Sequence, residues 1–121
     1  MGIQSEQLKQ RAKAFGINIL RLVDTLPYTP GAQVVGRQLA KSATSIGANY
    51  RAACTARSRA EFIAKLGVAN EEADESVHWL QIISCVPYLR GTEVQSLLEE
   101  AAELRAIIGR SLGTARRNAQ K

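Results

Sequence analysis

The sequence predicts an all-α fold, an antiparallel up-down-up-down four-helix bundle, and three observations lead to it. Four segments carry apolar residues at steps of three and four, the spacing of one face of a helix. Short connections join these segments, so successive helices are expected to be antiparallel neighbours. Aromatic residues make up only 5% of the 121 residues, so Leu, Ile, Val and Ala are expected to form the core.

Prolines separate the first two helices. The first is predicted over about residues 5–26, where Pro27 ends it. Pro30 and Gly31 complete the connection, and the second helix ends near Thr55. The apolar stripes are Leu8, Ala12, Phe15, Ile19, Leu22 and Leu26 in the first helix and Val35, Leu39, Ser42, Ile46, Asn49 and Ala53 in the second.

Capping residues mark the starts of the last two helices. Ser58 and Glu61 form an S-x-x-E capping box for the third helix, which Pro87 ends. Thr92 and Gln95 repeat the pattern before the fourth helix. The stripes are Phe62, Leu66, Ala69, Ala73, Ser76, Leu80 and Ile83 in the third helix and Val94, Leu97, Ala101, Leu104, Ile108 and Leu112 in the fourth.

The fourth helix is expected to weaken toward its end, because it contains Gly109 and Gly113. The last eight residues, TARRNAQK, have no apolar stripe. We therefore predict one domain, with residues 1–113 forming the bundle and residues 114–121 a basic C-terminal tail without predicted order.

The second helix contains the small and polar segment SATSIGANYRAA, residues 42–53. Small residues let two helices approach closely, so Gly47 is expected at a close contact with a bulky neighbour such as Trp79 or Phe15. Ser42 and Asn49 lie at the margins of the apolar stripe. A hydrogen bond from either across the helices would fix their register, and the sequence leaves open whether one forms.

Charge is distributed unevenly along the chain, which has a formal net charge of +5 and a pI near 9.6. Residues 37–59 contain five Lys and Arg and no acid, whereas residues 71–103 are strongly acidic. From Arg105 onward the chain is basic again. Basic regions of this kind indicate contact with a polyanion, and the alternative is a face that serves only solubility.

The second helix is predicted to carry a basic face opposite its apolar stripe. At 100° per residue, Arg37, Lys41 and Arg51 fall on the side away from Leu39 and Ile46. Ordinary solvated faces usually mix charges of both signs, and this one does not. These three are the leading candidates for contact with nucleic-acid phosphates. The weaker candidates are Arg57, Arg59, Arg116 and Arg117.

Nothing in the sequence predicts catalysis, a metal or a cofactor. Glu75 and His78 form an E-x-x-H pair, but His78 is the only histidine, so the two E-x-x-H motifs of a di-iron bundle site are not present. His78 is expected to pack beside Trp79 instead. The chain has no glycine-rich phosphate loop and no nucleophile with an evident base.

Self-association and a cytosolic location are further expectations. Four apolar residues lie off the stripe of the third helix and would need cover: Ile63, Val77, Trp79 and Ile82.

Cys54 and Cys85 form no metal-binding or disulfide pattern, which favours a reducing cytosol. The chain shows no secretory leader and no apolar run of about 18 residues, so no membrane association is expected.

Three segments resemble a small bacterial family of four-helix-bundle proteins: QLAKSATSIGANYRAA, SRAEFIAKLGVANEEADESVHWL and LLEEAAELRAIIG. That family includes proteins encoded within intervening sequences of large-subunit ribosomal RNA genes. The accessory variability proteins of diversity-generating retroelements are similar. The resemblance spans about residues 13–112, and His78 stands where an aromatic residue would be expected before Trp79.

The resemblance implies a non-enzymatic homopentameric barrel whose basic surfaces contact RNA or DNA. In the retroelement relatives it also implies a reverse transcriptase as partner. The leading hypothesis is therefore a nucleic-acid-binding accessory scaffold. The alternative is a structural oligomer of the intervening-sequence type whose main partner is another protein.

Overall fold

The computed structural model describes residues 3–87 and 93–120 and contains four helices in those ranges. Helix α1 spans Ile3–Asp24, α2 Pro30–Cys54, α3 Arg59–Cys85 and α4 Val94–Ala119. Each helix packs along the next one in the chain, and α1 closes the bundle more loosely against α4. The predicted four-helix fold is confirmed, and no strand occurs in the described residues.

The starts of α2 and α3 follow local capping chemistry. The Ser58 hydroxyl accepts a hydrogen bond from the Glu61 amide at 3.1 Å, which confirms this predicted cap. Helix α2 begins at Pro30, because the Thr29 hydroxyl caps it and proline suits the first helical position. Thr92 lies outside the described residues.

Helix α4 runs further than the sequence indicated. It continues to Ala119, so the predicted boundary at Gly113 lies inside the helix. The last turns need no apolar stripe, because arginine and alanine have high intrinsic helix propensity. Arg116 and Arg117 are consequently fixed on a helix.

The predicted stripes form the core. Every stripe residue of α1 and α4 is buried, and in α2 and α3 the exceptions are the half-buried Val35, Asn49 and Phe62. Val77 is also in the core, with 4% of its surface exposed, so its prediction as a residue needing cover is wrong. The remaining off-stripe residues of α3, Ile63, Trp79 and Ile82, are half-buried, and His78 packs edge-to-face on the Trp79 ring.

A buried pair of hydroxyls joins α2 to α3. The Ser42 and Ser76 oxygens lie 3.0 Å apart, and Ser42 also donates to the carbonyl of Leu39. Ser76 has one proton, which it donates either to Ser42 or to the carbonyl of Glu72. The pair ties the register of α2 to that of α3, whereas Asn49 bonds within its own helix.

Gly47 lies where α2 crosses α1. A Cβ atom placed on Gly47 would be 3.5 Å from backbone atoms of Ala12 and Lys13. The close contact is therefore confirmed, but its partner is the α1 backbone rather than a bulky side chain. Within residues 3–87 and 93–120, the four helices lack the combination of length and hydropathy that a membrane span needs.

Candidate nucleic-acid interface

The up-down order brings two helix starts and two helix ends to the same end of the bundle. The first residues of α1 and α3 lie there with the last residues of α2 and α4. We call this the basic end, and it comprises residues 3–13, 42–71 and 106–120, about half of each helix with the α2–α3 connection.

The charge of the described residues is polarised along the bundle axis. The basic end contains ten Lys and Arg and three acids. The remaining described residues contain four Lys and Arg and eight acids. Like charges concentrated at one end of the bundle attract a polyanion more strongly than the net charge alone would suggest.

The structure divides the predicted site residues into two groups. Five belong to the basic end: Arg51, Arg57, Arg59, Arg116 and Arg117. Arg37 and Lys41 lie in the first half of α2, toward the opposite end. Arg37 and Arg51 are separated by about 21 Å along the helix at 1.5 Å per residue. The basic face predicted for α2 is therefore long, and its two ends lie beside different neighbouring residues.

The exposure of the α2 face agrees with the sequence. Arg37, Lys41 and Arg51 are all exposed, on the side of α2 away from the core. Burial and then Glu75 raise the pKa of the Glu72 carboxyl of α3, and Lys41 lies close enough to oppose part of this rise. Lys41 is therefore partly compensated by a neighbouring acid.

One hydrogen bond joins cationic segments at the basic end. The Arg59 guanidinium donates to the carbonyl of Asn118 at 3.2 Å, which ties the start of α3 to the end of α4. Because of this contact, Arg59 lies beside the turn of α4 that carries Arg116 and Arg117. These residues are distant in sequence, and only the fold brings them together.

Most cations of the basic end have no acidic partner among the described residues. Arg51, Arg57 and Arg116 form no ion pair through their side chains, and neither does Lys13. Their charges are consequently available to an external anion. Lys9 is the partial exception, since its ammonium lies 3.4 Å from the Glu6 carboxylate.

Arg11 has a structural role instead. Its guanidinium donates twice to Glu100, at 2.9 and 2.7 Å, and lies 2.9 Å from Glu103. These bonds raise the pKa of Arg11 and hold α1 against α4, where the two helices pack loosely. Arg11 is thus unavailable to a nucleic acid.

A surface groove between α1 and α2 opens beside the basic end. It has a volume of about 560 Å³. Lys9, Lys13 and Arg51 line it, together with the exposed Ile17 and Leu20. Sequence reasoning missed Lys13, because only the packing of α1 on α2 places it beside Arg51. The i, i+4 spacing of Lys9 and Lys13 was the one signal available.

Comparisons with known proteins agree with this fold. A family model described as 23S rRNA-intervening sequence protein matches residues 4–110. A crystal structure of a protein of unknown function from the S23 ribosomal protein family, from Bacteroides thetaiotaomicron, has a TM-score of 0.82 and 30% sequence identity. The similarity covers 92% of this chain and 99% of that chain. No match was found among curated proteins.

Proposed function

The chain belongs to the 23S rRNA-intervening sequence protein family, and we propose that it binds the phosphate backbone of nucleic acid through its basic end. The observation that supports this most directly is the axial charge distribution. Ten cations lie at one end of the bundle, and Arg51, Arg57 and Arg116 there have no ion-pair partner among the described residues.

The physical basis of the proposed binding is counterion release. Each phosphate that a Lys or Arg neutralises releases condensed counterions, so affinity falls steeply with salt and depends little on base sequence. The protein makes no bond and breaks none in this role; it is a non-enzymatic accessory protein.

The proposed accessory protein is a homo-oligomer, the pentameric ring that the resemblance implies. A ring repeats the basic end in every subunit, and repeated weak contacts on one polyanion raise the overall affinity through effective concentration. The finer role is either that of an intervening-sequence protein or that of an RNA and reverse-transcriptase accessory in a retroelement. Gene neighbourhood separates these two settings.

The test compares two double charge reversals of equal size. Arg51→Glu with Arg116→Glu changes the basic end, and Arg37→Glu with Lys41→Glu changes the other half of α2. We expect the first pair to weaken binding roughly tenfold or more and to flatten the salt dependence. The second pair should have a clearly smaller effect. Fluorescence anisotropy with RNA and DNA over a range of NaCl concentrations measures both, and circular dichroism and light scattering check fold and mass.

The other possible outcomes would indicate no defined site, a different site or a different function. Equal losses would show that net charge alone governs binding, and a larger loss for the pair at Arg37 and Lys41 would move the site to that half of α2. No binding by the wild-type protein would favour the second candidate, a structural oligomer with a protein partner. The exposed apolar side chains of Ile17 and Leu20 support that candidate.

A further inference from the structure

The groove between α1 and α2 changes character along its length. Its mouth lies at the basic end and is lined by Glu6, Lys9, Gln10, Lys13 and Arg51. Further along, toward the middle of the bundle, the lining is small or apolar: Gly16, Ile17, Leu20, Thr44 and Ala48. A ligand that fits the whole groove therefore has an anionic part and an apolar part side by side.

The mouth is positively charged. Lys13 and Arg51 stand on the two helices that border it, and neither forms an ion pair among the described residues. Glu6 is an anion at the same mouth, but its carboxylate lies 3.4 Å from the Lys9 ammonium, which offsets its charge. The two remaining cations can approach one phosphate from both walls.

The floor of the groove is low because the two helices approach closely at two glycines, Gly16 against Thr44 and Gly47 against Ala12 and Lys13. A Cβ atom on Gly16 would be 3.5 Å from the Thr44 Cα, and one on Gly47 would be 3.5 Å from the Lys13 amide nitrogen. Ile17 and Leu20 lie on one wall of the groove and are 41% and 43% exposed. A flat, weakly polar group that packs on this apolar surface buries it from water, and this burial favours binding.

We propose that this groove holds one unpaired nucleotide of a bound strand. Its phosphate lies between Lys13 and Arg51, and its base covers Ile17 and Leu20. A volume of about 560 Å³ falls within the usual range of small-ligand pockets, which are mostly apolar with a few polar groups. The inference rests on the proposed binding of nucleic acid at the basic end, onto which the groove opens.

The binding preference follows from the geometry. A base paired in a duplex is stacked and cannot enter the groove, whereas a base in a single strand or overhang can. The basic end binds the phosphates of either form. The protein should therefore bind single strands, and duplexes with an unpaired overhang, more tightly than blunt duplexes of equal length.

The test fills the groove without changing charge. Ala48 is exposed on the groove wall, and Ala48→Leu places a larger side chain where the base would lie. Ala64→Leu is the matched control, since Ala64 is exposed on α3. We expect Ala48→Leu to weaken binding of a labelled single-stranded oligonucleotide about tenfold and to leave a blunt duplex unaffected, in RNA and DNA alike. The control should change neither.

A second variant tests the phosphate contact. Lys13→Ala should reduce the slope of log K against log salt by about 0.7 for the single strand, and by less for the blunt duplex, whose phosphates do not enter the groove. Unfolding in urea confirms that each variant is folded.

Three results would contradict the inference. The first two would leave the proposed function in place, and the third would not. Equal weakening of single strand and duplex by Ala48→Leu would show that the groove has no separate nucleotide site. Unchanged binding with an altered oligomer mass would assign the groove to contacts between protein copies. A wild-type protein that binds neither probe would remove the proposed function as well.

Discussion

Gly47 gives the sharpest test of how α1 packs on α2. A Cβ atom added there would lie 3.5 to 3.6 Å from atoms of Ala12 and Lys13, which is ordinary van der Waals contact. Gly47→Ala therefore adds contact without a clash. It also removes the helix-propensity cost of glycine, which is about 1 kcal/mol. We expect this variant to be more stable than wild type by roughly 0.5 to 1 kcal/mol.

A larger side chain at the same position should have the opposite effect. In Gly47→Leu the atoms beyond Cβ meet the backbone of α1, which moves only if the whole helix shifts. Overpacking of this kind costs roughly 1 to 3 kcal/mol. The free energy of unfolding should therefore fall in the order Ala, Gly, Leu at position 47. Ala48→Leu, one residue away on the exposed wall, should be close to wild type.

Urea unfolding followed by circular dichroism measures this order. A Leu variant as stable as the Ala variant would mean that the side chain points freely into the groove and that the helices are not in close contact at Gly47. A clear loss of stability in Gly47→Ala would mean that α1 and α2 approach more closely than the structure shows.

Two further predictions concern charge in the bundle. Burial and then Glu75 raise the pKa of Glu72, so the folded state favours the protonated carboxyl. The stability that this carboxyl contributes is therefore present at low pH and is lost as the pH rises through that pKa. Glu72→Gln should be more stable than wild type at neutral pH, and the difference should vanish below the usual pKa of 4.5; a difference that persists in acid would refute this. Arg11→Ala should lose about 1 kcal/mol in low salt and less in high salt, because the ion pair with Glu100 is about one-third exposed. A loss independent of salt would assign the effect to packing of the arginine stem.

The fold was largely predictable because helical spacing is a local property. The stripe residues of α1 and α4 are all buried, and the capping hydroxyl of Ser58 behaves as the S-x-x-E pattern predicts. The prediction left Val77 out of the core because a heptad stripe is only as wide as the contact with one neighbouring helix. Helix α3 packs against both α2 and α4 and therefore buries a broader face.

The small segment of α2 shows where sequence reasoning stops. Its composition correctly indicated a close contact at Gly47. It could not identify the partner, because α1 and α3 both border α2 and either could have supplied the neighbouring atoms. Ser42 bonds to Ser76 across the helix pair, and this choice over Asn49 depends on a rotation of a few tens of degrees that periodicity does not resolve.

The candidate site was predicted in its residue types but not in its grouping. A helical projection gives the angle of a side chain about one axis, and on that measure Arg37, Lys41 and Arg51 belong together. The projection gives neither the position of a side chain along the helix axis nor its neighbours on other helices. Lys13 joins Arg51 only through the crossing of α1 and α2, and Arg59 joins Arg116 only through the end of α4.

The basic end therefore exists only in the folded chain. Its cations come from all four helices and from the α2–α3 connection, and unfolding spreads them along segments separated by acidic residues. A polyanion that uses this end consequently binds the folded form more tightly than the unfolded form, and mass action then makes it a stabiliser of the bundle. Because α1 packs loosely against α4 and carries Lys9 and Lys13 to the same end, this linkage should be strongest for the contact between those two helices.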